Sequence, residues 1–311
     1  MDTSNPPWSA PRKATLAASC VSLLLILVKL AVGLSTGTVM ILASALDSLL
    51  DFMVSSFNAY AVRSSESPTD EHYNYGRGKI EGVAALLEGL FILASAIYIL
   101  RTATAKFFSH SLVISPLHLN YAMGGMAFSL GLTWILVTYL QKMSAQSNSL
   151  IIKADTVHYQ MDLLSNGGIF AALILVRFTN WSWVDPTIAV GVSIYVAKAA
   201  IPLLRQGLQM LLDKSLEEKL VESIRHLAES HSGQVTGVHE LKTRRAGDTN
   251  FVEFHLVFDE DIKLREAHHI ADEIEMRIRK LEKSRWIINI HLDPVDDSNR
   301  DRKLAKAGRD D

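Results

Sequence analysis

Six stretches of this chain are each long and apolar enough to cross a lipid bilayer, and no other feature limits the fold so strongly. They run from Thr15 to Leu34, Val39 to Val62, Val83 to Ala105, Leu117 to Leu140, Leu150 to Phe178 and Val184 to Leu204. A hydrocarbon core needs roughly 20 apolar residues per helical crossing, and it forces every backbone N–H and C=O to pair within the protein. Six transmembrane helices are therefore expected. Leu23 to Val32 is read as part of the first helix and not as a signal-peptide core, because no small-residue cleavage site follows it.

The connecting segments orient these helices. The link between the first two, "STGT", is uncharged, whereas the link between the second and third holds Arg63, Arg77 and Lys79. Lys142 and Lys153 flank the junction of the fourth and fifth, and Arg12 and Lys13 precede the first. Basic residues stay on the cytoplasmic side, so both termini of this multi-pass membrane protein are expected there. Arg101, Lys106 and Arg177 fall on the other side and narrow the margin. The formal net charge is −2, and no nucleic-acid partner is expected.

Beyond Leu212 the apolar density falls and the pattern changes to that of a small α/β domain. "SLEEKLVESIRHLAESHSG" has helical spacing, "VHELKTRRAGD" and "TNFVEFHLVFD" read as a hairpin turning at Gly247 and Asp248, Leu264 to about Lys283 is a second amphipathic helix, and "RWIINIHLD" alternates as a last strand. The expected fold is thus an α-helical membrane domain of six transmembrane helices plus a cytoplasmic α/β domain with a ferredoxin-like αββαβ order. The expected organisation is an N-terminal cytoplasmic segment 1–14, a transmembrane domain 15–207, a cytoplasmic domain 208–295 and a disordered tail 296–311.

The second span is anomalous, because "ILASALDSLLDFMVSSFNAY" carries Asp47 and Asp51. An ionised carboxylate in hydrocarbon costs several kcal/mol and normally faces a partner or a cavity. A four-residue spacing puts both acids on one helical face, about 6 Å apart, where they repel each other unless a cation or a proton intervenes. The fifth span repeats the spacing in "ADTVHYQMDLLSNGG", with His158 and Asp162. At ~1.5 Å rise per residue both pairs reach one depth. Three carboxylates and an imidazole suit a divalent cation held tetrahedrally, with zinc first and ferrous, cadmium, cobalt or manganese ions also compatible. Cys20 is the single cysteine, which excludes a disulfide framework and a thiolate site.

The segments "ASALDSLLDF", "YGRGKIE" and "KADTVHYQMD" together resemble the signature segments of the cation diffusion facilitators, in particular the bacterial zinc and ferrous-iron efflux branch, and the resemblance spans about Leu16 to Pro294. It implies a homodimer in the lipid bilayer of a bacterial inner membrane, a cytoplasmic metal-binding domain, and exchange of metal for protons by alternating access. It also implies a transport site on Asp47, Asp51, His158 and Asp162, which the spacing argument reaches independently. The expected cargo is zinc, ferrous iron or cadmium, with manganese and cobalt ranked below them, and protons are the counter-substrate.

A second set of donors lies in the C-terminal domain. His291 and Asp293 share one face of the last strand, His255 lies on the polar face of its strand, His239 stands in the adjacent strand and His268 in the first turns of the helix. These five are expected to surround one or two ions, and the resemblance implies a paired metal site there that tightens the dimer. In the loop after the second span the family often carries histidines around a glycine. This chain reads "DEHYNYGRGK", so a site at Asp70 and His72 is expected to be weak or absent, since Arg77 is a permanent cation. Lys79 and Asp213 match a charge pair that in the family links the two domains. Glu81 and Glu88 are expected to line a hydrated entrance or a subunit contact.

Two other functions are weighed. "HEL" at His239 lacks the second histidine of a zinc-protease helix, and no nucleophile motif supports an enzyme. A membrane-anchored metal sensor without transport is the alternative reading, but a mere anchor has no need of intramembrane acids.

Overall fold

The computed structural model describes residues 9–36, 39–108, 116–179 and 183–296. Two compact units divide the chain, Met1–Leu211 and Leu212–Asp311.

The first unit is a bundle of six helices: α1 Ala10–Thr36, α2 Val39–Ser65, α3 Ile80–Phe108, α4 Pro116–Ala145, α5 Leu150–Thr179 and α6 Val184–Leu211. The stretches Ala10–Val32, Ile80–Ala105 and Pro186–Leu211 are each long and apolar enough to cross a membrane by length and composition. In α2 and α5 the apolar character is diluted by Asp47, Asp51, Asp155, His158 and Asp162. Leu23, Leu27, Leu90, Tyr98 and Trp134 are exposed on the bundle, as expected of side chains that meet acyl chains instead of water.

Helix α3 lies along α6, α1 along α2, and α5 between α4 and α6. Backbone proximity sets the α3–α6 contact. A Cβ added at Gly207 would stand 2.9 Å from the carbonyl oxygen of Gly82 and 3.1 Å from the backbone nitrogen of Leu86. Small residues permit this approach, which is how helices associate in lipid without a hydrophobic driving force between them.

The second unit contains α7 Glu218–Ser230, β1 Val235–Ala246, β2 Thr249–Phe258, α8 Leu264–Ile278 and β3 Arg285–Asp293. The strands are ordered β1-β2-β3. β1 and β2 are antiparallel around the turn at Gly247, whose φ of 59° suits a residue without Cβ. β3 runs parallel to β2, with α8 in the crossover. Val252, Phe254, Leu256 and Phe258 project to one side of β2 and bury Ile224, Ala228, Ile270, Ile274 and Ile278 of the two helices. The helices therefore cover one sheet face, and the odd-numbered residues of β2 point to the other.

Helix α8 is shorter than its periodicity predicts. It ends at Ile278, not at Lys283, and Leu281 is exposed. The guanidinium of Arg279 donates to the carbonyl of Trp286 at 2.9 Å, and the indole of Trp286 donates back to the carbonyl of Glu282 at 3.3 Å. These bonds turn the chain into β3 before a further helical turn can form. The tail from residue 297 on lies outside the described residues.

His231, at the end of α7, bonds Glu273 of α8 at 2.9 Å. That bond holds the Glu273 carboxyl below its ordinary value of 4.5. A depressed carboxyl stabilises the fold above the unfolded-state pKa and loses that contribution as pH falls through the folded-state value. Glu273→Gln should therefore lower the thermal midpoint of the second unit at about pH 6, with the difference from parent shrinking toward about pH 3. A pH-independent difference would contradict the pairing. For the first unit, Gly207→Leu should cost about 1–3 kcal/mol, as overpacking does, and lower the melting midpoint in detergent. An unchanged midpoint would show that α3 and α6 part freely.

Candidate metal centres

One group of ligand atoms is set by helical spacing. His158 and Asp162 are one turn apart on α5, and Asp51 reaches them from α2. The His158 Nε2 stands 3.3 Å from Asp51 Oδ1 and 3.5 Å from Asp162 Oδ2. One donor atom from each of the three lies within 4.8 Å of the others. His158 is buried, with its ring edge-on to Tyr159 at 5.2 Å between centroids. Tyr159 ties α5 to its neighbours, since its hydroxyl shares a 2.7 Å bond with Ser55 of α2 and faces the Ala18 carbonyl of α1 at 3.5 Å. Asp47, expected as the fourth member, lies one turn along α2, is exposed and is not in this group.

Polar contacts that the sequence reading missed surround this group. Lys29 of α1 donates to Ser48 of α2 at 2.7 Å and acts electrostatically on Asp51, Asp162 and Asp47. Its signal was legible, as a lysine within the apolar run "LILVKLAVGL". Nearer the α5 N-terminus, the amide of Asn58 donates to Glu88 Oε2 at 2.9 Å and to Asp155 Oδ1 at 2.7 Å. Glu81 accepts from Ser149 at 2.8 Å, from the backbone N–H of Leu150 at 3.1 Å and from Ser65 at 3.2 Å. Glu81 thus caps α5, where the helix dipole favours an anion. Glu81 and Glu88 are 4% and 3% exposed within the single chain, which corrects the expectation that they line a hydrated entrance or a subunit contact. They are interior groups that join α2, α3 and α5.

The second group is set by strand register. His239 pairs with His255 and His255 with His291, so the three imidazoles form one row across β1, β2 and β3. Their rings are 4.8 Å and 4.7 Å apart. Asp293, two residues along β3, faces all of them. Its Oδ2 lies 2.8 Å from His255 Nδ1 and 3.1 Å from His239 Nε2, and its Oδ1 lies 3.2 Å from His291 Nε2. A bulge follows His239, where the register advances three residues on β1 against two on β2, with Glu240 at a φ of 53°. Such a bulge re-aims side chains beside a site. His239, His255 and Asp293 satisfy the same three-donor criterion as the intramembrane group.

His268 does not join this row. It stands on α8, within the helix layer that covers the opposite sheet face, and pairs with Asp272 at 3.3 Å. The expectation of five converging donors in one chain is corrected to four.

The loop between α2 and α3 is closed on itself. Asp70 accepts from the backbone N–H groups of His72 and Tyr73 at 2.9 and 2.8 Å and pairs with Arg77 at 2.5 Å, and Arg77 stacks over Tyr73 at 4.3 Å. Neither three-donor group includes Asp70 or His72. Within their own units, Lys79 approaches the Leu211 carbonyl at 3.5 Å and Asp213 pairs with Arg244 at 3.3 Å.

Residues 15–212 match the family model described as the cation efflux transmembrane domain, and residues 216–295 match the cation efflux protein, cytoplasmic domain. The cation-efflux pump FieF of Pectobacterium atrosepticum is 36% identical over 286 residues, covering 91% of this chain and 92% of the relative. FieF of Shewanella oneidensis is 35% identical over 285 residues, covering 91% and 93%. A solved CzrB chain in its Zn form is 37% identical, covers 27% of this chain and 96% of that one, and has a TM-score of 0.26. With both family models matched in order, the chain belongs to the cation diffusion facilitator family of cation efflux proteins.

Proposed function

We propose that this chain exports divalent transition-metal cations from the cytoplasm in exchange for protons, with zinc, ferrous iron or cadmium as cargo. The observation that carries this reading is the approach of Asp51, His158 and Asp162 within 4.8 Å in the interior of a membrane bundle. One imidazole nitrogen and carboxylate oxygens form a borderline donor set, which suits zinc and its neighbours better than magnesium or calcium. Manganese and cobalt rank below them. Asp47 completes the set when its side chain turns toward the ion from one helical turn away.

Metal and protons compete for the same lone pairs, because a ligating imidazole must be neutral and a ligating carboxylate ionised. A high proton activity on the far side then releases the ion. Alternate exposure of one site to the two sides converts the proton gradient into export. Both termini face the cytoplasm in this reading, and the chain works as a homodimer. The His239–His255–His291–Asp293 row takes cytosolic metal and favours the dimer.

Asp51→Ala in proteoliposomes under an imposed pH gradient should lower zinc flux by at least ~10-fold, the scale on which altered metal shells act. Parent-level flux from that variant sinks the transport reading and leaves the membrane-anchored sensor in its place. Flux of zinc, ferrous, cadmium and manganese ions measured in parallel assigns the cargo. Asp293→Asn, or stripping metal with a chelator, should weaken self-association in detergent by about 10-fold without abolishing flux. Unchanged self-association in both cases would remove the regulatory role from the histidine row.

A further inference from the structure

A second polar cluster lies inside the bundle, and hydrogen bonds among the described residues do not satisfy it fully. Asn58, Glu88 and Asp155 come from three different helices, α2, α3 and α5. They are 1%, 3% and 0% exposed. Spacing relates them to the cluster above. Asn58 follows Asp51 by seven residues and Asp155 precedes Asp162 by seven. Seven residues are two turns, so each helix repeats its polar group on the same face about 10 Å further along. Ser65 on α2 and Glu81 on α3 repeat the interval once more toward the ends of α2, α3 and α5 that Glu81 joins. The seam thus has three rungs, and Asn58, Glu88 and Asp155 form the middle one.

Three side chains bring five oxygens to this rung, two from each carboxyl and one from the amide. Glu88 Oε2 and Asp155 Oδ1 receive the two bonds from Asn58 Nδ2. The other three, Asn58 Oδ1, Glu88 Oε1 and Asp155 Oδ2, are buried with no hydrogen-bond partner among the described residues. Such a remainder marks a place for a further partner, because unmet buried oxygens are costly and polar groups in cores are for the most part satisfied. A single proton would join one unmet oxygen to another and strand the third. A hard divalent cation, by contrast, takes oxygen donors from several side chains at once. The amide nitrogen also lies between two carboxylate oxygens of different helices, and rotation of the Asn58 amide by a half turn would present oxygen at that point instead.

We propose that Asn58, Glu88 and Asp155 form a second intramembrane cation site, with oxygen donors alone, that relays a divalent cation between the cytoplasmic ends of α2, α3 and α5 and the Asp51–His158–Asp162 cluster. An all-oxygen set is harder than the histidine-containing cluster and holds an ion less selectively. The ion is therefore passed toward the nitrogen donor. The relay role rests on the transport reading above; the binding site does not.

The test counts bound ions, with no transport required. In the full-length protein in detergent, Asp51→Asn, Asp162→Asn and Asp293→Asn together disable both three-donor groups, and manganese is counted by electron paramagnetic resonance. This background should retain one manganese ion that is lost on adding Glu88→Gln, with the elution volume and helical circular dichroism unchanged. If the combined variant does not fold, the same loss of one ion is read between parent and Glu88→Gln alone. Equal counts with and without Glu88→Gln overturn the proposal, as does a background that binds none. A carboxylic-acid infrared band lost in Glu88→Gln at an unchanged manganese count assigns the rung to a proton and overturns it equally. A failure here leaves the Asp51→Ala flux experiment untouched.

Discussion

Keeping a carboxylate out of hydrocarbon is the constraint on which the membrane unit depends. Each acid in the bundle interior needs a partner on another helix, since a helix satisfies its own backbone but leaves an ionisable side chain exposed to lipid. Asp51 meets His158 across the α2–α5 contact. Asn58 joins Glu88 to Asp155 across α2, α3 and α5, and Glu81 spends its charge on the α5 N-terminus. The acids therefore fix which faces of these three helices turn inward. The remaining faces can be almost featureless, with Leu and Ile against lipid and Gly82 and Gly207 at the closest backbone approach.

The two donor clusters are held by different secondary structure, and the difference matches their proposed roles. In the C-terminal unit, His239, His255 and His291 are aligned by the ladder of a three-stranded sheet. Moving one of them means breaking backbone hydrogen bonds, which suits the proposed role of a fixed receptor whose occupancy is sensed. In the bundle, Asp51 and the His158–Asp162 pair belong to different helices joined by side-chain contacts alone. A small slide or rotation of α2 against α5 separates the donors without breaking any backbone bond. Such a site can be made and unmade in each cycle, as alternating access requires.

What the sequence revealed follows the range of the interaction. The i, i+4 pairs in α2 and α5 and the alternation of β2 and β3 are local, so the depth of the acids and the shared face of His255, His291 and Asp293 could be read from spacing. Facts about packing could not. His268 has a plausible spacing, but α8 lies on the sheet face that Phe254 and Leu256 cover, away from His255. Glu81 and Glu88 looked like entrance residues because their partners, Ser149 and Asn58, lie 68 and 30 positions away in the chain. The early end of α8 depends likewise on Arg279 finding the Trp286 carbonyl. The seven-residue intervals from Asp51 to Asn58, from Asp155 to Asp162 and from Glu81 to Glu88 foreshadowed the middle rung.

The charge carried by the α2–α3–α5 seam gives these rungs a common logic. Asp51, Glu81, Glu88, Asp155 and Asp162 bring five carboxyl groups to it, against the imidazole of His158 and the ammonium of Lys29 beside it. A helix N-terminus offsets Glu81 by about half a charge. The rest of the excess cannot remain bare in a medium where the unscreened Coulomb energy is many times that in water. On the proposed transport reading, positive charge is taken up from the two aqueous sides, as metal or as protons, and either species leaves when the other replaces it. Strict exchange, as proposed, then needs no separate gate to forbid an empty return. On that reading, the imbalance of fixed charge in the seam itself disfavours the unoccupied carrier.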